Sequence, residues 1–282
     1  MKVGTHNGPF HADDVFACAI LKKVYPSFEL VRSRDVKVLS LCTILVDVGG
    51  EYNGVDRFDH HQIGGAGERE NGVKYSSAGL VWKRYGTMLL GNEEYAKVVD
   101  EQLIQTIDRL DNGQGGEVNS FSVSSAISVF NPTWQENSKE ENFYRSFTYA
   151  MEFAENVLER VIASAKGKVD ARNAVLAKMG EPIVVLDSFL PAMETVVEDP
   201  NAMFLIYPSV EGTWMVQCVP PYTGSFGQRL PLPLSWAGKR DTELAEASGV
   251  HDSVFCHNNR FIAGAKTKQG ALRLAEKALC NR

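Results

Sequence analysis

ILVDVGGEYNGVDRFDHHQ, residues 44–62, is the stretch on which the fold of this chain turns. Thr43, Ile44, Leu45 and Val46 run into Asp47, Gly49 and Gly50 turn the chain, and Asp59, His60 and His61 follow. A short run of β-branched and leucine residues reads as a buried strand, and this one delivers a carboxylate at its carboxyl end. In open α/β sheets that end is where ligands are held. Two adjacent imidazoles on a turn cannot both enter a core. Carboxylate mixed with imidazole suits a divalent transition metal better than Ca2+, which takes oxygen ligands alone.

Upstream, residues 2–6 (KVGTH) read as a first strand ending at His6. Val15, Phe16, Ala19 and Ile20 then follow helical spacing, with Asp13 and Asp14 in the first turn, where the helix dipole favours negative charge. His6, His11 and Asp13 therefore sit on a strand-to-helix turn. Capping alone explains any one of them, but three metal-competent groups within eight residues favour a site. A second strand around 28–31, a short helix over 35–40 and a third strand over 43–48 complete the βαβ alternation of a parallel sheet.

Downstream, Gly64-Gly65-Ala66-Gly67 is too irregular for a phosphate-binding glycine loop and reads as a connection. A helix opens at Ser76 and runs to Tyr85, and another covers about 92–107 before Asp108-Arg109-Leu110-Asp111-Asn112-Gly113. Asn-Gly is an ordinary helix stop and would leave the acidic pair facing solvent. Carboxylates at a helix C-terminus oppose its dipole, however, and call for a positive partner such as a metal. Residues 121–168 read as mostly helical, and Tyr149, Phe153, Val157 and Val161 recur every four positions, as core packing does. The pattern changes to strands (IVVLD, AMFLIYP, TWMVQCVP) after a boundary near 175–181. Residues 253–256 and 260–263 read as neighbouring strands joined at His257-Asn258-Asn259. Gly264-Ala265-Lys266-Thr267 then opens a final helix whose N-terminus either binds an anion or is a Thr cap beside a surface lysine.

A chain of 282 residues, 44% hydrophobic and 23% charged, is long enough for two folded domains. No run of eighteen apolar residues and no signal-like start is visible, so no membrane partner is expected and the cytoplasm is the default location. Cysteines 18, 42, 218, 256 and 280 form no C-x-x-C pair, which argues against disulfides, a disulfide-linked partner and a thiolate zinc site. The net charge of −6 divides unevenly: 20 basic and 30 acidic residues up to position 219, then 9 basic and 5 acidic from 220 onward. An acidic front half suited to cations and a basic tail suited to an anion are consistent with a metal site and a phosphate grip.

In chain order the metal-competent residues are His6, His11 and Asp13, then Asp47, then Asp59-His60-His61, then Asp108 or Asp111. This order resembles the four-motif signature of the DHH phosphoesterase superfamily: H-x3-D-x-D, a strand-end Asp, D-H-H, and an Asp after a helix. GTHNGPFHADD, VDVGGEYN, RFDHHQ, DRLDNG, SFGQRLPLPLSWAG and FIAGAKTKQGAL resemble more closely its Myg-type branch, named after melanocyte proliferating gene one, over essentially the whole chain. The resemblance implies an α/β protein with an N-terminal DHH domain (1–178), its mainly parallel sheet flanked by helices, and a smaller C-terminal α/β DHHA1-like domain (179–282).

It also implies a phosphodiesterase that uses two divalent ions, Mn2+ in the family, with Mg2+, Co2+ or Zn2+ as other candidates. His11 stands where the superfamily usually has Asp, and nitrogen ligands move preference toward later ions of the Irving–Williams series. Carried over, His6, His11 and Asp47 would hold one ion. Asp13, Asp47, His60 and Asp111 (or Asp108) would hold the second, with Asp47 bridging. Asp47, His60, His61 and Asp59 would form the catalytic set, with Asp59 fixing an imidazole and His61 donating to the substrate phosphate. Arg229, His257, Lys266 and Thr267 would grip the substrate. The expected activity is 3′–5′ exonuclease action on single-stranded RNA or short oligonucleotides by a two-metal-activated water. The alternatives are a small-molecule phosphohydrolase acting on pyrophosphate, cyclic dinucleotides or a nucleoside bisphosphate, or a metal-binding protein without turnover.

Overall fold

The computed structural model describes residues 1–115, 121–136 and 139–280. It divides into two compact units, Met1–Lys166 and Gly167–Arg282.

The first unit follows the alternation of its sequence: β1 (Lys2–Thr5), α1 (Ala12–Val24), β2 (Glu29–Arg32), α2 (Val36–Leu39), β3 (Ile44–Val46) and β4 (Arg57–Phe58). Their sheet is wholly parallel, in the order β2-β1-β3-β4. The order reverses between β1 and β3, so the loops leaving their carboxyl ends part to opposite sides and open a crevice there. Val3 faces Ile44 and Gly4 faces Leu45 in register. Gly4 is needed because a Cβ there would stand 2.7 Å from Leu45 Cδ2 and 3.0 Å from Cys42 Sγ. Every residue from Ala12 to Leu21 is buried, as expected of a helix that is apolar nearly all round.

Helices α3 (Ser77–Leu90), α4 (Glu93–Val99), α5 (Gln105–Asp111), α6 (Val123–Ser128) and α7 (Glu140–Leu176) complete the unit's helical layer, α7 continuing into the second unit. α3 packs on α1. The helix expected over 92–107 is interrupted by a π-helical turn, Asp100–Ile104, and continues to Asp111. Such a turn inserts a residue and rotates the face presented by the next segment. Asp108 and Asp111 consequently belong to the last turn of α5, with Asp108 fully buried, instead of following a helix end into solvent. The helical run expected over 121–168 is split into α6 and α7, and its residues 137–138 lie outside those described. Phe10, Phe16, Phe58, Leu80, Ile107 and Phe147 are among the fully buried side chains of this core.

The second unit holds β5 (Ile183–Val185), α8 (Met193–Val196), β6 (Phe204–Pro208), β7 (Trp214–Cys218), α9 (Asp241–Ser248), β8 (Ser253–Cys256), β9 (Ile262–Ala265) and α10 (Lys268–Cys280). Its sheet is mixed, ordered β5-β6-β7-β9-β8, with β5 and β6 parallel and the remaining pairs antiparallel. β9 begins two residues later than the sequence suggests. The chain first closes a turn in which Arg260 N donates to the His257 carbonyl and Arg260 takes φ +58°. Gly264 and Ala265 are therefore strand, and the last helix opens at Lys268.

Candidate metal centre

His6 leaves the end of β1 and Asp47 leaves the end of β3, so the parallel pairing of these strands sets them side by side at the crevice. Asp47 has φ +54°, a left-handed conformation that a short polar side chain tolerates better than most. Its two oxygens face different neighbours. Oδ2 lies 3.3 Å from His6 Nε2; Oδ1 lies 3.4 Å from His60 Nε2 and accepts a 3.0 Å hydrogen bond from Ser77 Oγ.

Three groups of potential ligand atoms meet here, each spanning no more than 4.8 Å: His6, Asp14 and Asp47; Asp47, His60 and His61; and His11, Asp13 and Asp111. Asp47 belongs to two of them. His60 Nε2 links to the third, 3.6 Å from Asp13 Oδ2 and 3.2 Å from Asp111 Oδ2. His6, His11, Asp13, Asp47, His60, His61 and Asp111 thus come together from across the first 111 residues. His11 is grouped with Asp13 and Asp111, not with His6, although the two imidazole rings stand 6.3 Å apart.

Asp14 was not among the candidates from sequence. Its Oδ1 accepts from the backbone of His11 and Val15, at 3.0 and 2.9 Å, as part of a capping box at the start of α1. Its Oδ2 is buried without a hydrogen-bond partner, 3.3 Å from His6 Nε2. The readable signal was an acid at the third helical position beside Asp13, which is indistinguishable in sequence from a plain cap.

The remaining polar groups hold these side chains in place. His6 Nδ1 stands 3.1 Å from the Asn7 carbonyl, which can only accept, so Nδ1 carries a proton and Nε2 is directed at the carboxylates. Asp59 is buried; it accepts from Gly50 N at 2.6 Å and from His61 N at 3.0 Å, and lies 2.8 Å from His61 Nδ1. His61 is thereby oriented with most of its ring exposed. Asp108 faces away from the cluster. Its carboxylate accepts from Ser76 N, Ser76 Oγ and Gly79 N and opposes Arg69 at 2.7 Å, so it serves as the anion at the N-terminus of α3.

Burial and the closeness of the acids set the charge balance of the cluster. Burial, then the charges of Asp47, Asp111 and Asp14, push the Asp13 pKa well above the carboxylate range. Burial pushes Asp14 up to about 7, the charges of His6 and Arg32 pulling back against it. Burial would also raise Asp47, but hydrogen bonds with His6 and His60 outweigh it and hold Asp47 far below its ordinary value. Burial would lower His6 and His60, yet the bond each makes with Asp47, with the neighbouring acids, raises both. So many acids in so small a volume cannot all ionise unless a cation joins them. Asp13 Oδ1 and Asp14 Oδ2, both buried and without a hydrogen-bond partner, are free to ligate one. Clustered His and Asp residues that could bind a metal ion are therefore a property of this fold; they suit an imidazole- and carboxylate-binding divalent ion.

The four candidates in the second unit are placed differently. The Arg229 guanidinium donates to the carbonyls of Val197, Asp199 and Ala202 and stitches that unit's own loops together. Thr267 caps α10, its Oγ1 accepting from Gly270 N, and donates from both N and Oγ1 to Asp252 Oδ2. The anion at that helix start is therefore Asp252, a residue of this chain. His257 and Lys266 are exposed; His257 Nδ1 accepts from Asn259 N at 3.0 Å, and its ring lies 4.6 Å from that of Phe261.

Fold and cluster together define an α/β protein whose parallel sheet presents, at its carboxyl edge, a His and Asp constellation able to hold metal. A family profile described as an uncharacterised protein family (UPF0160), and titled for the MYG1 exonuclease, matches residues 2–279, and the chain belongs to that family. It is 36% identical to a rat protein named MYG1 exonuclease, covering 100% of this chain and 85% of the relative. The human MYG1 exonuclease is 34% identical over 100% of this chain and 86% of its own length, and a MYG1 protein of Dictyostelium discoideum is 34% identical over 99% and 96%. No solved structure matches the chain.

Proposed function

We propose that this chain is a divalent-metal-dependent phosphodiesterase of the DHH type, a 3′–5′ exonuclease acting on single-stranded RNA or short oligonucleotides. The observation that carries this reading is Asp47, whose two carboxylate oxygens face separate groups of ligand atoms, so that it could contribute to the holding of two ions. The names of the rat and human relatives support a nuclease as the reaction class.

His6, Asp14 and Asp47 would hold one ion, with Asp47, His60, Asp13 and Asp111 holding the second and His11 flanking it. When bound, such ions supply Lewis acidity that acidifies water and withdraws charge from a phosphoryl oxygen. Asp47 is the side chain the two groups share. Ser77 Oγ, itself anchored at the start of α3, orients the Asp47 carboxylate by its 3.0 Å hydrogen bond. Asp59 fixes the Nδ1 side of His61, so that Nε2 is the atom free to donate to a phosphate oxygen. Hydrolysis would cleave one P–O bond of the diester, leaving a phosphomonoester on one product and a hydroxyl on the other.

The test is a metal-supplemented screen of labelled RNA, DNA, pyrophosphate and cyclic dinucleotides, with Asp47→Ala as the control. Stepwise release of mononucleotides from one end of the RNA, lost in the variant while its circular dichroism spectrum is retained, is the expected result. Hydrolysis of pyrophosphate with the oligonucleotide left untouched would overturn the reading in favour of a small-molecule phosphohydrolase.

A further inference from the structure

Beside the ligand cluster lies a cavity of about 520 Å3, a size ordinary for small-ligand sites, whose walls include His6, His11, Asp47 and His61. Among the described residues the one Lys or Arg on its lining is Arg34. β2 runs beside β1 with Arg32 opposite Thr5, and Ser33 N donates to the Thr5 carbonyl at 2.8 Å. Arg34 therefore starts two residues past the carboxyl end of β2, next to the loop that carries His6. The turn beneath it is held by Asp35 N donating to Ser33 Oγ at 3.1 Å and by the Asp35 cap of α2.

An exposed arginine is usually a solvated surface residue, and what sets this one apart is its place on the wall of the cavity that also holds His6, His11, Asp47 and His61. Among the described residues Arg34 makes no hydrogen bond or ion pair, as is true of other exposed arginines here, so its donors are open to a ligand in that cavity. The acids on the same cavity wall are already engaged, Asp47 by His6, His60 and Ser77, and Asp59 by Gly50 and His61. A guanidinium with free donors facing a cluster that itself takes cations is arranged for a ligand that bridges them, and a tetrahedral oxyanion does so.

We infer that Arg34 is the phosphate-holding residue of this cavity, gripping the phosphoryl group presented to the cluster. The inference rests on the proposed phosphodiesterase reading and assigns to it a substrate contact supplied by the first unit. The guanidinium fork takes two phosphate oxygens at once, so an ammonium in its place restores charge but not the paired geometry.

Inorganic phosphate is the probe, titrated calorimetrically into full-length protein loaded with Mn2+, alongside KM and kcat on a labelled oligoribonucleotide. Arg34→Ala should weaken phosphate binding and raise KM by about 10- to 100-fold, the range expected when a charged hydrogen bond is removed, with kcat changing little. Arg34→Lys should recover part of the loss, and Mn2+ uptake should equal that of the wild type in both variants. Unchanged phosphate affinity in Arg34→Ala overturns the inference, and so does a loss of Mn2+ uptake, which would make the residue a structural one. If wild type cleaves no oligonucleotide, the exonuclease reading falls, while the phosphate titration still decides Arg34.

Discussion

Asp108 and Asp111 lie three positions apart on α5 and serve different chemistry. Asp111 is partly exposed and directed at His60, while Asp108 is fully buried and receives the amides of α3 and the charge of Arg69. Asp111→Asn should therefore lower divalent-ion affinity, read by calorimetry, and leave the urea midpoint close to wild type. Asp108→Ala should do the opposite: it strands buried donors at Ser76 and Gly79 at a cost of about 1–3 kcal/mol, while metal uptake by the folded protein persists. Should Asp108→Ala abolish uptake in a folded sample, the division of labour between the two acids is wrong. Asp14 belongs at this scale too. Asp14→Asn keeps the capping oxygen but removes the charge beside His6, so it should weaken ion binding more than it weakens the fold.

The start of α3 is the element that assembles the centre from behind. Its first turn donates to Asp108 through Ser76 and Gly79, and Ser77 reaches Asp47 through its hydroxyl and Asp13 through its amide at 3.4 Å. Three acids from three different elements thus converge on one helix N-terminus, where unpaired amides and the dipole favour negative charge. Gly79 makes the approach possible, since a Cβ there would overlap the Asp108 carboxylate. Gly79→Ala should cost about 1–3 kcal/mol through overpacking, measured by urea denaturation, even though alanine is the better helix former. A stabilised Gly79→Ala protein would refute this packing. On the opposite side, Asn131 accepts from Phe10 N at 3.0 Å and donates to the Phe10 carbonyl at 2.9 Å, tying the segment after α6 to the His6–His11 loop.

At the scale of the molecule, the two units have separate cores and, among the described residues, the groups that could hold a metal ion all lie in the first. Ligand binding stabilises the body that binds, so Mn2+ should raise the calorimetric transition of the first unit and leave that of the second in place. The slope with pH also follows. Asp13 and Asp14 have raised pKa values, Asp14 to about 7, and His6 and His60 are raised as well. A group with a raised folded-state pKa stabilises the fold fully below its unfolded value and loses that contribution as pH rises through the folded one. Asp47, whose pKa is depressed, loses its contribution only as pH falls through the acid range below about 4. Metal-free protein should therefore lose stability between about pH 5 and pH 8. Mn2+ should cancel or reverse that decline by taking the place of the protons, and Asp14→Asn should flatten it. Melting temperatures recorded across that range with chelator and with Mn2+ provide the check; a metal-free melting point that climbs with pH would contradict the charge balance.

Periodicity and short motifs were enough to read the alternation of the first 62 residues, because strand runs such as 44–46 and the acids and imidazoles that end them are contiguous in the chain. They also made His6, His11, Asp13, Asp47 and the Asp59-His60-His61 run legible as candidates for one place. The sequence could not separate Asp108 from Asp111, since both are acids near an Asn-Gly helix stop, and the π turn that rotates α5 leaves no local pattern. It could not show that Asp14 has one oxygen in a cap and the other beside His6, or that Arg229 and Thr267 are held by carbonyls and a carboxylate of their own unit. Nor could it single out Arg34, one arginine in a polar turn. Local chemistry is written in neighbouring residues; which partner a charged side chain meets depends on strand order and helix rotation, which bring together groups a hundred positions apart.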